Sequence, residues 1–201
     1  MGKKVVAIVG TYRKGRVIDS AVDEILKGAA AGGAETVKID LMDKHIEFCS
    51  NCRACTQAEG VGAPGKCVQD DDMTAILDEI AGADVLVLAS PVNVGRVTAL
   101  MKRFIERLVV LVYWPWGAPA PKCRMTGAGK EAITVTSSAC PAFLGRILMP
   151  APLRLLKTAS KLMGAKVRKS LYFGLAAKTE DGTLSEKNRF KAYKAGQKLV
   201  G

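Results

Sequence analysis

Cys49, Cys52 and Cys55 recur at two-residue gaps in the run Cys49-Ser-Asn-Cys52-Arg-Ala-Cys55, and a fourth cysteine follows at Cys67. Such gaps let three sulfurs converge on one point. The pattern suits the ligand run of an iron–sulfur cluster, with four-thiolate zinc or a loop of reduced thiols beside a redox cofactor as alternatives. Reduced, they would pack as small hydrophobes. Cys123 and Cys140 lack partner spacing and read as structural, although Cys140 falls close to a loop expected to face a ligand. His45 is the only histidine, which excludes multi-histidine metal and catalytic sites.

A second chemistry-bearing segment is Gly10-Thr11-Tyr12-Arg13-Lys14-Gly15-Arg16, which has glycine at both ends of Thr11 to Lys14, a hydroxyl, three cations and a helical pattern directly after it. Free amides at a helix start and nearby cations make an anion site. Gly10 and Gly15 do not supply the G-x-G-x-x-G of a dinucleotide fold, and there is no phosphate-loop lysine after a glycine-rich turn, so a phosphate monoester fits better.

The elements that must position these segments follow from hydrophobic period. Lys4 to Gly10 is a short apolar run, and Ile18, Val22, Ile25, Leu26 and Ala29 share one helical face. Gly32-Gly33 ends that helix, and Val37, Ile39 and Leu41 alternate as a second strand. The cysteine loop, 45–69, comes next. A short helix from Asp71-Asp72 through Ile80 leads to the strand 84–90, apolar throughout and so buried on both faces. Val97 to Leu111 repeats apolar residues at helical spacing. Residues 113–130, rich in Trp, Pro and Gly, read as an insertion before a fourth strand at 132–137. A helix from Phe143, broken at Pro150 and Pro152, runs to Met163, and a fifth strand at 167–174 precedes a closing helix at 185–200. Repeated β-α units argue a doubly wound five-stranded parallel sheet in one domain over 1–201. Ligands of such sheets sit outside the strands' carboxyl ends, here at 10–18, 91–96 and 137–142.

Composition narrows the class. The chain has 201 residues, enough for one well-buried α/β domain without disulfide staples. The absence of a secretory pattern at Met1 points to a reducing cytoplasm, and no apolar stretch approaches the roughly 20 residues that span a bilayer. Net charge is +11, but the cations are scattered, without a basic run or aromatic ladder, which argues against nucleic acid.

The ordered set Gly10 to Gly15, Cys-x-x-Cys-x-x-Cys, Gly65-Lys66-Cys67-Val68, Asp71-Asp72-Met73, Ser90-Pro91 and Lys102 to Arg107 resembles the flavodoxin-like NAD(P)H-dependent FMN reductase family, particularly its iron–sulfur flavoprotein branch. The resemblance covers most of residues 3–107 and continues more loosely beyond. It implies a three-layer α/β/α flavodoxin-like fold of strand order 2-1-3-4-5 and FMN bound at three loops. Thr11, Arg13, Lys14, Gly15, Arg16, Val17 and Ile18 would hold the phosphate; Pro91, Val92, Asn93, Val94 and Gly95, with Ser137 and Ser138, would hold the ring. Cys49, Cys52, Cys55 and Cys67 would ligate a 4Fe-4S cluster.

It further implies NAD(P)H as hydride donor, a small-molecule or protein electron acceptor (a quinone, aromatic or metal) and a homodimer or homotetramer. The chain departs from the family's pattern in three places. Arg16, Val17 and Ile18 stand where small polar residues are usual, no aromatic occupies 92–94, and Cys67 follows Cys55 at a longer distance than usual, across residues 58–65. Aromatic cover for the flavin would then come from Trp114, Trp116 or a partner subunit, against a plainer reading of these residues as packing. Alternatives to the reductase are an electron carrier using the cluster and, from another class, a flavodoxin-like interaction protein without cofactor.

Overall fold

The structure, a computed structural model, describes residues 2–178 and 182–200. Its main sheet has the order β2-β1-β3-β6-β7, all parallel, from strands β1 (Lys4–Val9), β2 (Glu35–Asp40), β3 (Val85–Ala89), β6 (Lys130–Ser137) and β7 (Ala165–Phe173). Two further short strands, β4 (Val112–Tyr113) and β5 (Lys122–Cys123), pair antiparallel beside it. Counting only the main sheet, this is the expected 2-1-3-4-5 arrangement.

Burial explains the order. β3 is buried at every position and β1 at all but its first residue, because helices cover both faces of central parallel strands. β2 has one buried residue, and β7 has five consecutive exposed or half-exposed residues; both carry charges, as edges do. One core, around Ile8, Leu88, Phe104 and Leu156, lies under α2 (Met73–Gly82), α3 (Ala99–Arg107) and α5 (Ala151–Leu162). The other, around Val5, Ile25, Val87 and Phe173, lies under α1 (Val17–Ala31) and α6 (Glu186–Val200). α1 and α6 approach so closely that a Cβ on Gly28 would stand 2.0 Å from the Tyr193 carbonyl oxygen.

One expectation is corrected. The helix read from Val97 to Leu111 is α-helical only from Ala99 to Arg107; Thr98 caps it, and Leu108–Leu111 forms a 3-10 turn leading into β4. Leu108, Val110 and Leu111 are all buried, so no polar face remains to sustain an amphipathic helix. Within residues 113–130, β4 and β5 form a small ribbon that delivers Arg124 and Met125 into the interior, at 3% and 6% exposure. The break near Pro150 separates α5 from a short α4 (Ala142–Leu148).

Candidate functional site

The three loops expected to face a ligand are joined at the carboxyl edge by hydrogen bonds. Thr98 Oγ1 donates to the Gly10 carbonyl at 2.7 Å, and the Thr98 amide donates to Ser90 Oγ at 3.1 Å. The Val92 amide donates to the Ser137 carbonyl at 2.7 Å. Thr98, Ser90, Thr11, Ser137 and Ser138 are all buried, so this polar rim is built into the fold. Thr98 was not among the residues singled out from sequence; a threonine followed by an apolar helical period is the cap signal that marks it.

In the first loop, Thr11 Oγ1 accepts from the Arg13 amide at 3.2 Å and so shapes the turn instead of facing outward. Gly15 is left-handed (φ +73°), with nothing within 4 Å of where a Cβ would lie. No side chain caps α1 at Arg16, while the Asp19 carboxylate accepts from the Gly15 amide at 2.6 Å and is paired with Lys38 at 2.6 Å. Val17 and Ile18 point into the core, at 6% and 3% exposure, so these two positions can offer only amides to a ligand. Lys14 is exposed and ion-paired with Asp43, an arrangement that raises its pKa mainly through the Asp43 hydrogen bond. An uncapped helix start beside an open left-handed glycine fits a phosphate monoester held by backbone amides.

The second loop is a tight hairpin. Asn93 and Arg96 exchange both backbone hydrogen bonds, at 2.8 and 3.0 Å, around Val94 (φ 46°) and Gly95 (φ 73°). Both central residues at positive φ make a type I′ turn, which asparagine and glycine prefer and valine does not. Val94 is also 98% exposed, an apolar side chain with nothing to cover it. In the third loop Ser138 Oγ lies 3.2 Å from Cys140 Sγ, so Cys140 does adjoin the expected ring site.

The cysteine loop lies at the same edge of the sheet, since it follows β2 and leads into α2. Cys49, Cys52, Cys55 and Cys67 line one small cavity. Burial pushes the Cys55 thiol up, and the neighbouring Cys67, Cys49 and Cys52 push it further. Cys52, exposed, is shifted the other way by hydrogen bonds from the Ala54 amide and Ser50. Among the described residues, no three His, Cys, Asp or Glu side chains are grouped closely enough for a single metal ion. Zinc would need four sulfurs within about 3.8 Å of one another, from Zn–S bonds near 2.3 Å. In a cubane each cysteine binds a different iron, so the sulfurs stand apart around a cavity. Four cysteines are the donor set of either centre, a cubane or four-thiolate zinc.

Arg53 and Arg107 line this cavity and Arg124 ties down the segment beside it, none distinguished by the sequence patterns used above as a structural anchor. Arg124 donates to the carbonyls of Val112 (3.1 Å), Gly60 (3.3 Å), Cys55 (3.3 Å) and Ala58 (2.6 Å). The Gly65 amide donates to Val110 O at 2.7 Å, and Gly65 sits so close to Cys55 that a Cβ would meet the Cys55 carbonyl oxygen at 1.8 Å. Residues 58–65 therefore fold back, and the long interval before Cys67 does not separate it from the other cysteines.

Arg107, 2% exposed, forms an ion pair with Asp71 and donates to Glu47 O at 2.9 Å and to Cys67 Sγ at 3.5 Å. Burial alone would push the Asp71 carboxyl up; hydrogen bonds from Arg107 and from the amides of Glu47 and Met73 outweigh it and hold it below its ordinary value.

Arg53 is clamped between Trp114 and Trp116, its guanidinium carbon 4.1 Å from each ring centroid, and donates to Trp114 O at 2.6 Å. The tryptophans thus pack on the cysteine loop, the plainer of the two expectations for them. All four non-glycine residues described at positive φ, Asn51, Arg53, Val94 and Leu175, belong to these loops or their immediate supports: the Leu175 amide bonds Cys140 O at 3.0 Å. Such conformations persist where surrounding structure enforces them, often at functional sites.

Residues 3–140 match the family model for NADPH-dependent FMN reductase. The chain belongs to the NADPH-dependent FMN reductase family. It is 37% identical to an iron-sulfur flavoprotein of Archaeoglobus fulgidus over 106 residues, which is 53% of this chain and 46% of that one. An iron-sulfur flavoprotein of Methanosarcina thermophila is 31% identical over 108 residues, 54% of this chain and 53% of the relative. The chain thus spans about half the length of these curated relatives. Among solved structures, an NAD(P)H:quinone oxidoreductase from Methanothermobacter marburgensis superposes with TM-score 0.71 at 18% identity, covering 100% of this chain and 98% of that one. An FMN-dependent NADH-azoreductase from Bacillus anthracis in complex with FMN reaches TM-score 0.71 at 11% identity, covering 98% and 100%. These superpositions establish the flavodoxin-like fold.

Proposed function

We propose that this protein is an NAD(P)H-dependent FMN oxidoreductase whose cysteine loop carries a 4Fe-4S cluster, a combination that lets a two-electron donor feed a one-electron centre. The observation that carries the reading is the convergence of Cys49, Cys52, Cys55 and Cys67 on one cavity at the same carboxyl edge as the three hydrogen-bonded loops. Family membership and the iron-sulfur flavoprotein relatives support it.

When bound, FMN would accept hydride at its N5 and the cluster would pass electrons singly. The chain's own residues do the positioning. The first amides of α1, with Arg13 and Arg16, bind the phosphate; Pro91 to Gly95 and Ser137-Ser138 flank the ring; Thr98 holds the first two of these loops together. Arg107 donates to Cys67 Sγ and so fixes where that sulfur stands. The acceptor is of the small-molecule or protein class, in a cytoplasmic setting, and no described helix is long and apolar enough to cross a membrane.

Self-association is part of the proposal. Phe143, Leu144, Ile147 and Leu148 on α4 are 66%, 38%, 73% and 69% exposed, directly after the third loop. A second copy seated there would cover them beside the flavin loops. Ile147→Lys is expected to lower the sedimenting mass to that of one chain; a parent that already sediments as one chain contradicts this part.

The test of the flavin site is an equilibrium titration with FMN. Losing a charge-assisted phosphate contact of about 1.5–3 kcal/mol, Arg13→Ala is expected to bind FMN at least about tenfold more weakly. Unchanged affinity would remove Arg13 from the phosphate site.

A further inference from the structure

Cations that are scattered in the sequence gather in the fold. Along the amino-terminal part of the edge strand β7 lies a hollow of about 460 Å³, within the roughly 300–1,000 Å³ of small-molecule sites. Five cations line it: Lys157 and Lys161 of α5, and Lys166, Arg168 and Lys169 of β7. No described carboxylate lines it. Arg168 is held by Glu131 at 2.6 and 2.7 Å, whereas none of the four lysines has an ion pair or side-chain hydrogen bond among the described residues.

Local structure explains the convergence. Lys157 and Lys161 are one helical turn apart and share a face of α5. On a regular strand Arg168 and Lys169 would point to opposite faces. Here the register passes from Ala132–Val167 to Ile133–Lys169, leaving Arg168 unpaired in a bulge that re-aims its neighbours. Lysines on a sheet edge guard it against pairing with another strand, which accounts for Lys166 and Lys169. It does not account for Lys157 and Lys161, which a helix brings to the same hollow. The crowding extends to α6, where partial burial, then Arg146, Lys169 and Lys187, push Lys191 down from its ordinary pKa.

The hollow is separate from the sites described above, since it includes no residue of the flavin loops or of the cysteine loop. Phe173 O accepts from the Ser138 amide at 3.0 Å, beside the third loop. Lys166 stands earlier on the same strand, about 23 Å away at about 3.3 Å per residue. Val167 is the one apolar residue in the lining and no aromatic ring faces it, so nothing there would stack a base. Lysine ammoniums read phosphate as point charges. One phosphate monoester carries only about −1.5 to −2 at pH 7, less than four lysines can neutralise.

We propose that this hollow binds a compact anion of linked phosphates, either free or as the phosphate tail of a nucleotide. The site needs neither flavin nor cluster.

The test is calorimetric titration of the full chain with inorganic tripolyphosphate, with and without saturating FMN. Tripolyphosphate is expected to bind in both conditions, and orthophosphate at least about tenfold more weakly. Lys157 and Lys161 are exposed, so Lys157→Glu and Lys161→Glu should leave thermal unfolding unchanged. With FMN present, each is expected to weaken tripolyphosphate binding about tenfold. Lys44→Glu makes the same change in net charge just after β2, at the opposite edge of the sheet, and should leave the affinity as it was. ATP distinguishes the two sources. Since nothing holds a base, it is expected to bind no more tightly than tripolyphosphate; tighter binding that is lost in Lys161→Glu keeps the site and makes its ligand a nucleotide. Binding that disappears with FMN belongs to the 11–18 loop and overturns the site, as does an equal effect of Lys44→Glu, which reduces the binding to net charge. A DNA duplex that binds more tightly than tripolyphosphate overturns the compact ligand in favour of an extended basic surface.

Discussion

Arg124 offers the sharpest test of how the cysteine cavity is assembled. Its guanidinium reaches the Cys55 carbonyl just before the 58–65 segment, the Ala58 and Gly60 carbonyls within it, and a fourth at Val112. Arg124→Met keeps the bulk of the side chain and deletes every one of these donors. If all four acceptors stayed buried, the loss would be large. However, Ala58 and Gly60 are on a surface segment that can detach and be solvated, so the net loss is set by the carbonyls of Cys55 and Val112. At about 1–3 kcal/mol for each unsatisfied buried acceptor, the variant should be destabilised by about 3 kcal/mol. With a urea slope of about 2 kcal/mol/M the midpoint would fall by about 1.5 M. The local readout is amide exchange at Gly62 and Gly65, whose hydrogen bonds to Arg124 O and Val110 O are 2.8 and 2.7 Å and hold the segment down. Both amides should exchange faster in the variant, well before global unfolding. A loss below about 1 kcal/mol together with unchanged exchange at Gly62 and Gly65 would refute the clamp, because burial of the guanidinium would then be incidental.

Two further outcomes follow from the same geometry. Val94→Gly removes a β-branched side chain from a left-handed position and should stabilise the protein by about 1 kcal/mol, read from the urea midpoint; no gain would mean the turn is unstrained. Asp71 has a carboxyl pKa held below its unfolded value of about 3.9, so its contribution is present above that pH and is lost as pH falls through the folded value. Asp71→Asn leaves Arg107 buried without its counter-charge and should cost about 3–5 kcal/mol at pH 7, with the gap from the parent narrowing as pH falls below the unfolded carboxyl value; a gap that did not change with pH would contradict the assignment.

The sheet was readable because its central strands are continuous apolar runs and its helices keep a clean 3.6-residue period, signals that are local in sequence. What sequence reading placed wrongly depends on contacts between distant residues. Leu108 to Leu111 repeat apolar residues as a helix would, and only their burial on all sides shows why the helix stops at Arg107. Arg124 lies in a Pro- and Gly-rich stretch that looks like loop, and its anchors are 64 to 69 residues away at Gly60, Ala58 and Cys55. The cysteine spacing suggested convergence of the thiols, but the return of Cys67 across residues 58–65 was visible only from that clamp and the close approach of Gly65 to Cys55. Val17 and Ile18 turn into the core, so only their amides face the loop, which agrees with the expectation that a phosphate there would rest on backbone amides and the arginines.

The central claim is that flavin and cluster share one carboxyl edge, and it is tested most directly by the visible spectrum of protein purified without oxygen, combined with iron and acid-labile sulfide analysis. The account expects flavin absorption with broad added absorption and about four irons and four sulfides per chain, lost on Cys52→Ser. Flavin with no iron would reduce the protein to an FMN reductase with a thiol loop, and no chromophore even after addition of FMN would contradict the account as a whole.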